Sequence, residues 1–233
     1  MQIKPIKAFT DNYIWIIERE TEAVVVDPGE AAGVLAYLDQ EKLDLTAILL
    51  THNHDDHTGG VAQILAKYSN TPVYGPEETQ PINDHVLAEG DSFELLEEKV
   101  KVFDTPGHTE GHISYLFGEA LLCGDSLFSA GTGRVFTGDY QAQYDTLAKF
   151  KQLNDAVNVY PAHEYTETNL RFAQTIEPTN EVISEALTEV KDLRAANKPT
   201  LPSTIGREKN INLLLQAETL DRFIELRKAR DNF

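Results

Sequence analysis

The sequence predicts an α/β protein in two parts, a layered α/β sandwich over residues 1–164 and a small helical unit over residues 165–233. Three observations lead there. Up to about residue 164 the chain reads as short β-branched or aromatic runs separated by turn signals, with a few helical segments inserted. From Thr166 the β-branched runs stop, and apolar residues recur at helical spacing among charged ones. No internal repeat, low-complexity tract or flexible linker breaks the chain, so the two parts are expected to pack closely.

Strands are expected at residues 13–18, 23–26, 47–50, 72–74, 92–96, 100–105, 113–117, 120–123 and 158–160. Helices are expected at 30–39, 60–67 and 141–152 in the first part, and at 182–196 and 216–228 in the second. A hydrophobic content of 41% over 233 residues supplies a sizeable core. The opening MQIKPIKAFTDNYIW has none of the features of a secretory signal, and no apolar run reaches membrane-spanning length, so a cytoplasmic protein without membrane association is expected.

A lone Cys123 forms no internal disulfide, which leaves histidine and carboxylate as the metal ligands available. The net charge of −18 argues against nucleic acid, whose phosphates call for basic patches. An anionic small-molecule substrate would need a local basic pocket. A monomer is the default oligomeric expectation.

The strongest local signal is Thr51-His52-Asn53-His54-Asp55-Asp56-His57-Thr58-Gly59-Gly60, directly after the strand expected at 47–50. Three of the chain's seven histidines fall within six residues. In an extended loop, side chains two apart lie on one side, so His52 and His54 can converge on one point. Asp56 and His57 lie further along and can face a neighbouring point, so one loop can serve two metals. As a plain polar loop, the segment would offer Thr58 as a helix cap. Three clustered imidazoles have little other use.

Further candidates stand where strands end in loops, at Thr105-Pro106-Gly107-His108-Thr109, Gly124-Asp125-Ser126 and Tyr160-Pro161-Ala162-His163-Glu164. Singly, each histidine reads as a hydrogen-bonded loop residue; together with the His52 loop they read as ligands. Imidazole nitrogen and carboxylate oxygen suit zinc, iron or manganese.

His52, His54, Asp56, His57, His108, Asp125 and His163, in this order and with these flanks, resemble the metallo-β-lactamase superfamily. The resemblance implies a four-layer αββα sandwich with metals at one edge between the sheets. It implies two divalent metal ions per chain, zinc foremost, with iron or manganese as alternatives. His52, His54 and His108 would hold the first metal, Asp56, His57 and His163 the second, and Asp125 would bridge them.

Longer stretches resemble the glyoxalase II family in particular. These include Asp11-Asn12-Tyr13-Ile14-Trp15, Thr105 to His112, Gly124-Asp125-Ser126-Leu127-Phe128, Gly131-Thr132-Gly133-Arg134 and Ala162-His163-Glu164-Tyr165-Thr166. Leu201-Pro202-Ser203-Thr204 and the ending Arg227-Lys228-Ala229-Arg230-Asp231-Asn232-Phe233 carry the resemblance through the helical part.

The resemblance implies hydrolysis of the thioester of S-(2-hydroxyacyl)glutathione, chiefly the D-lactoyl compound of methylglyoxal detoxification. Asp56 and Asp125 would hold a metal-bridging hydroxide that attacks the carbonyl, and a thiol with a pKa of about 8.5 leaves readily as thiolate, so no general acid is needed. Glutathione carries carboxylates, and Arg134, Arg227 and Arg230 occupy the family's basic positions. The planar guanidinium fork suits a carboxylate. Phe136, His163 and Tyr165 complete the implied substrate contacts. Without the resemblance, the terminal arginines read as a solvated helix end that complements the helix dipole.

Several positions depart from the family pattern. Phe136 stands where some relatives carry tyrosine, and a phenyl ring cannot donate the hydrogen bond of a phenol. Asn53 replaces a histidine, Thr132 a cysteine, and Gln216 an arginine. Asp55 and Glu164 read as solvent-exposed loop carboxylates, Cys123 as a buried small hydrophobe, His112 as an imidazole behind the ligands, and Asp27-Pro28-Gly29 as a turn. Alternative functions are a mono-iron persulfide dioxygenase of the same fold, a β-lactamase or phosphodiesterase, and a non-catalytic metal-binding module.

Overall fold

Alternation of apolar side chains builds two facing sheets in the computed structural model, which describes residues 1–233. The first sheet contains β1 (Gln2–Ala8), β2 (Asn12–Arg19), β3 (Glu22–Val26), β4 (Asp44–Leu49), β5 (Val73–Gly75) and β6 (His85–Val86), in that spatial order. The second contains β7 (Ser92–Leu95), β8 (Glu98–Asp104), β9 (Ile113–Phe117), β10 (Ala120–Gly124), β11 (Asn158–Pro161) and β12 (Ser203–Thr204). Its spatial order also follows the chain, from β7 at one edge to β12 at the other.

The helices are α1 (Ala32–Glu41), α2 (Asp55–Thr58), α3 (Val61–Lys67), α4 (Tyr140–Lys151), α5 (Thr166–Ile176), α6 (Glu181–Ala195), α7 (Ile205–Ile211), α8 (Leu213–Gln216) and α9 (Leu220–Asp231). Successive strand residues face opposite ways, and this splits the core into layers. Tyr13, Trp15 and Ile17 of β2 point between the sheets, against Val102, Tyr115 and Phe117. Ile14 and Ile16 point outward, under Val34 and Leu38 of α1 and Ile64 of α3. In the second sheet Leu122 faces inward, while Leu121 and Cys123 face a third cluster containing Phe150 of α4 and Leu170, Ile183 and Phe223 of the C-terminal helices. The result is the expected αββα order, with the helical C-terminal segment continuing the outer layer of the second sheet.

Polar side chains set the starts of several helices. Asp139 accepts from the Ala142 amide ahead of α4, Asn180 from Ile183 ahead of α6, and Thr219 from Arg222 ahead of α9. The last of these starts the final helix at Leu220 rather than at the expected residue 216. Gln216 instead closes α8 and donates to the Lys209 carbonyl.

Elements that the sequence pattern did not announce have physical reasons. β1 carries Lys4, Pro5 and Lys7, yet it is an edge strand paired only with β2, where a missing amide donor is tolerated. α5 buries Thr166 and Asn169 beside Leu170, Phe172 and Ala173, so polar as well as apolar side chains make up its hidden face. β6 and β12 are two residues long each.

The C-terminal segment is tied to the sandwich by polar bonds as well as packing. Glu208 of α7 is fully buried and accepts from Ser129 Oγ at 2.8 Å, the Ala130 amide at 2.7 Å, Ser203 Oγ at 2.5 Å and Asn212 Nδ2 at 3.2 Å. Replacing it by alanine strands several buried donors. We expect Glu208→Ala to lower the unfolding free energy by about 3 kcal/mol or more, and Glu208→Gln to cost less, because an amide oxygen still accepts. Urea unfolding measures both, and a loss below about 1 kcal/mol for the alanine variant contradicts this account.

Candidate metal centre

Strand ends deliver the candidate ligands to one rim of the sandwich. β4 runs into Thr51 and His52, β10 into Asp125, β11 into His163, and the loop between β8 and β9 carries His108. The extended-loop expectation holds for His52 and His54 only. His54 is the extended residue preceding α2, and Asp56 and His57 lie on that single helical turn, which rotates them away from the first pair. Thr58 closes the turn by bonding back to the His54 carbonyl at 3.1 Å and does not cap α3.

The expected residues come together in two groups that could hold metal ions: His52, His54 and His108, and Asp56, His57 and His163. In the first, His54 Nδ1 lies 3.0 Å from His52 Nε2 and 3.1 Å from His108 Nε2. In the second, His163 Nε2 lies 3.4 Å and His57 Nε2 3.6 Å from Asp56 Oδ2. Asp125 stands between them. Its Oδ2 is 3.3 Å from His108 Nε2, and its Oδ1 is 3.5 Å from both His57 Nε2 and His163 Nε2.

The far side of each ring sets which nitrogen has a free lone pair. His108 Nδ1 donates to the Arg134 carbonyl at 2.9 Å, and a carbonyl only accepts, so Nε2 of the neutral ring is the electron-pair donor. Asp27 does the same for His57 at 3.1 Å, and Asp11 for His163 at 2.8 Å. Thr51 donates its hydroxyl to Asp27 at 2.7 Å, which leaves its oxygen to accept from His52 Nδ1 at 3.0 Å. Asn12 Nδ2 donates to Asp56 Oδ2 at 2.9 Å.

His57 Nε2 and Asp125 Oδ1 are buried and have no hydrogen-bond partner, although both point into the centre. Burying such atoms unpaired is costly. A divalent cation satisfies them, so the donor set fits the metals that the sequence implies.

Without metal, protons take the cation's place. Burial opposes a charge on His163, but Asp125, Asp11 and Asp56 overcome it and push its pKa up to about 12. Burial likewise opposes charge on His57, and Asp125 and Asp27 outweigh it and raise its pKa. The His163 hydrogen bond is the largest influence holding the Asp56 carboxyl well below the usual range. Asp125 is held low too, by His57, His163 and His108 against its burial. His52 is driven well below the ordinary histidine value, first by burial and then by its neighbouring imidazoles.

The sequence reading missed the outer partners. Asp27, expected first as a turn residue although the superfamily resemblance sets it at the border of the metal edge, is a buried acceptor held at φ 51°, a strained position for a residue with a Cβ. Glu164, expected in solvent, has only 5% of its side chain exposed and accepts from Tyr13 Oη, the Thr200 amide and the Thr200 hydroxyl. His112 does stand behind the ligands, its Nε2 accepting from the Asp125 amide and its Nδ1 bonded to Thr105. Asp55 is exposed and Cys123 buried, both as expected.

Gly133 lies so near that a Cβ there would meet the Asp125 carbonyl oxygen at 2.1 Å, and Gly124 has φ +47° with a Cβ position 2.4 Å from Thr51 Oγ1. Both glycines let the metal edge close.

The centre opens into a cavity of about 310 Å³ lined by His54, Asp56, Phe128, Arg134, Phe136 and Tyr165 among others. Tyr165 stacks on His163 with ring centroids 4.8 Å apart, and Phe136 meets His54 and His108 edge-on at 5.7 and 5.3 Å. Beside it lies a second groove that reaches Arg227, Arg230 and Asp231 and shares Phe128, Arg134 and Tyr165 with the first. Arg134 is half-exposed and Arg230 partly buried, but Arg227 is buried rather than at a solvated helix end, because its Nη1 donates to the Thr132 carbonyl at 2.6 Å.

Comparison with known proteins agrees with this arrangement. Residues 9–163 match the family model of the metallo-beta-lactamase superfamily, the class of protein to which such a rim of histidines and aspartates on an αββα sandwich corresponds. Residues 164–233 match the model of the hydroxyacylglutathione hydrolase C-terminus. A hydroxyacylglutathione hydrolase of Glaesserella parasuis is 53% identical, and one of Actinobacillus pleuropneumoniae 48% identical, with 100% of each chain covered in both cases. The crystal structure of ETHE1 from Myxococcus xanthus shares the fold, with a TM-score of 0.75 at 24% identity over 98% of this chain and 90% of that one. The chain belongs to the hydroxyacylglutathione hydrolase family of the metallo-beta-lactamase superfamily, and its histidine and aspartate cluster is one for divalent metal ions.

Two outcomes follow for the metal-free protein. With its pKa pushed up to about 12, His163 carries a proton at pH 7, and a cation must displace it to reach Nε2. Metal uptake should release about one proton per chain or more and weaken as pH falls, read by calorimetry in buffers of different ionisation enthalpy. A buffer-independent enthalpy would contradict it. Asp11→Ala should weaken retention of the cation held by His163 by roughly 10–100-fold in competition with a chelator, because the ring loses its orienting acceptor.

Proposed function

We propose that the chain hydrolyses the thioester of S-(2-hydroxyacyl)glutathione, S-D-lactoylglutathione foremost, to glutathione and D-lactate, as a step of methylglyoxal detoxification. The observation that carries this reading is the continuity of the two grooves. The cavity over the histidines and aspartates runs through Phe128, Arg134 and Tyr165 into the arginine groove, so one molecule can place a carbonyl at the first and an anionic peptide at the second. Relatives about half identical over the whole chain bear the hydroxyacylglutathione hydrolase name, which supports the same reading.

In this proposal His52, His54 and His108 would hold one cation and Asp56, His57 and His163 another, with Asp125 standing between the two groups as the shared ligand. Zinc is the expected metal at both positions, although iron and manganese accept the same donors. When bound, such a pair of cations supplies a water ionised near neutral pH and an electrophile for the carbonyl oxygen.

The chain's own residues do the rest. Asp56 and Asp125, kept ionised by the imidazoles around them, are the catalytic carboxylates that hold the nucleophile's position. Tyr165 and His163 form a stacked wall against which the substrate lies, and Phe128 and Phe136 cover the cavity with apolar surface that excludes water. Arg134 and Arg230 receive carboxylate, while Arg227 acts from behind as their buried support. The C–S bond breaks and the sulfur departs as thiolate, which needs no protein acid.

Residues 1–164 would thus form the catalytic unit and 165–233 the unit that binds the peptide, in a cytoplasmic monomer. No helix is long and apolar enough to cross a membrane. A mono-iron dioxygenase would leave the donor atoms of Asp56, His57 and His163 gathered within 4.8 Å of one another with no cation to hold.

Steady-state hydrolysis of S-D-lactoylglutathione by zinc-loaded protein tests the proposal. Activity should vanish with chelator and return on reloading to about two metals per chain. Asp125→Ala should lower kcat/KM by roughly a hundredfold or more. Thioester cleavage that survives metal removal, or oxygen consumption on a persulfide without thioester cleavage, would sink it.

A further inference from the structure

β11 ends at Pro161, and the residues after it meet the start of β2 in one antiparallel bridge, between His163 and Asn12. Two backbone hydrogen bonds bracket that bridge. The Tyr13 amide donates to the Ala162 carbonyl at 2.7 Å, and the Glu164 amide donates to the Asp11 carbonyl at 2.9 Å. Asp11 and Asn12 are also the residues whose side chains hold His163 Nδ1 and Asp56 Oδ2. A shift at the bridge therefore moves two of the three donors in the Asp56, His57 and His163 group.

Glu164 fixes the bridge from the side of the helical segment. Its Oε2 accepts from Tyr13 Oη at 2.9 Å and from the Thr200 amide at 2.8 Å, and its Oε1 accepts from the Thr200 hydroxyl. The Thr200 hydroxyl is bonded in turn to Thr166 Oγ1, at the first residue of α5, at 2.6 Å. Arg194 of α6 brings Nη1 to 3.6 Å from Oε2. A carboxylate this buried is costly unless its oxygens are paired. Its donors come from residues 13 and 200, so it ties together two segments that share no strand pairing.

We propose that Glu164 is a positioning residue for the cation that Asp56, His57 and His163 would hold. It pins residues 11–13 against residues 162–164 and anchors both on the Thr200 loop, so that loop bears on the affinity of this cation and not of the one at His52, His54 and His108. The inference rests on the two-cation reading of the centre.

The selectivity follows from where the orienting partners sit. His52 is held by Thr51 and His108 by the Arg134 carbonyl, and neither partner belongs to residues 11–13 or 162–164. His163 and Asp56 take theirs from residues 11 and 12, whose place against β11 Glu164 secures. Ring orientation governs how well a nitrogen lone pair meets a cation, so play at the bridge is felt as weaker binding.

Zinc affinity, measured by competition with a chromophoric chelator in two backgrounds that each keep one cation group intact, tests this without relying on turnover. In His54→Ala, which keeps the Asp56, His57 and His163 group, adding Tyr13→Phe or Glu164→Ala should weaken zinc binding about tenfold. In Asp56→Ala, which keeps the His52, His54 and His108 group, the same two changes should leave the affinity unaltered, and this guards against a folding defect. Glu164→Gln should stay close to wild type in both, because an amide oxygen still accepts from Tyr13 and the Thr200 amide while its NH2 can donate to the Thr200 hydroxyl. Equal losses in the two backgrounds, no loss in either, or a loss in Glu164→Gln as large as in Glu164→Ala overturns the proposal. Uptake of only one zinc by the wild type overturns the two-cation reading and this inference with it. Absent hydrolysis of S-D-lactoylglutathione with two zinc ions bound counts against the proposed function alone.

Discussion

The structure depends on one constraint: five imidazoles and two carboxylates aim their lone pairs at a single buried rim. Such atoms repel one another, and no side-chain donor in the fold satisfies His57 Nε2 or Asp125 Oδ1. Positive charge relieves this, supplied either by a proton on His163 or by divalent cations. The fold does not relax the strain by turning rings outward, because hydrogen bonds on the far side of four rings lock them in place. Three of the four locks come from distant segments, the exception being Thr51 beside His52. Asp27 is 30 residues from His57, and Asp11 is 152 residues from His163. The centre is thus a product of the completed sandwich, not of the His52 loop alone.

This separation explains what could be read from the sequence. The donors themselves were legible, since clustered histidines after a strand have few other uses, and a layered α/β sandwich was legible from the short strand runs and turn signals, its αββα order following from the resemblance to the superfamily. The outer locks were not, because nothing local distinguishes Asp27 in an Asp-Pro-Gly turn from any other turn aspartate. Glu164 misled for a related reason. A charged residue in a loop reads as solvated until Tyr13 and Thr200, from opposite ends of the chain, close over it. The α2 turn was hidden because four residues are too few to display a period.

Charge makes a similar point at larger scale. A chain with net charge −18 attracts an anionic substrate only where its own field is locally reversed. Arg134, Arg227 and Arg230 do so within one groove, where Asp231 is paired with two of them. Arg227 contributes as a buried charge whose partners are fixed. It shapes the groove through Thr132 and Asp231 without needing to touch what binds there.

The segment from Phe128 to Arg134 links these parts. Its backbone accepts from His108 through the Arg134 carbonyl, while the Arg134 side chain enters the arginine groove. Its other end is held by Glu208 and Asn212 of the C-terminal helices, through Ser129, the Ala130 amide and the Phe128 carbonyl. A shift of those helices would therefore move the groove and the orienting partner of a candidate metal ligand at once. Gly133 makes that coupling stiff, since the backbone there lies in contact with Asp125 and leaves no room for a side chain to cushion it. The helical segment is accordingly part of the metal centre's mechanical support as well as of the groove, and this is a physical reason for it to be packed so tightly onto the second sheet.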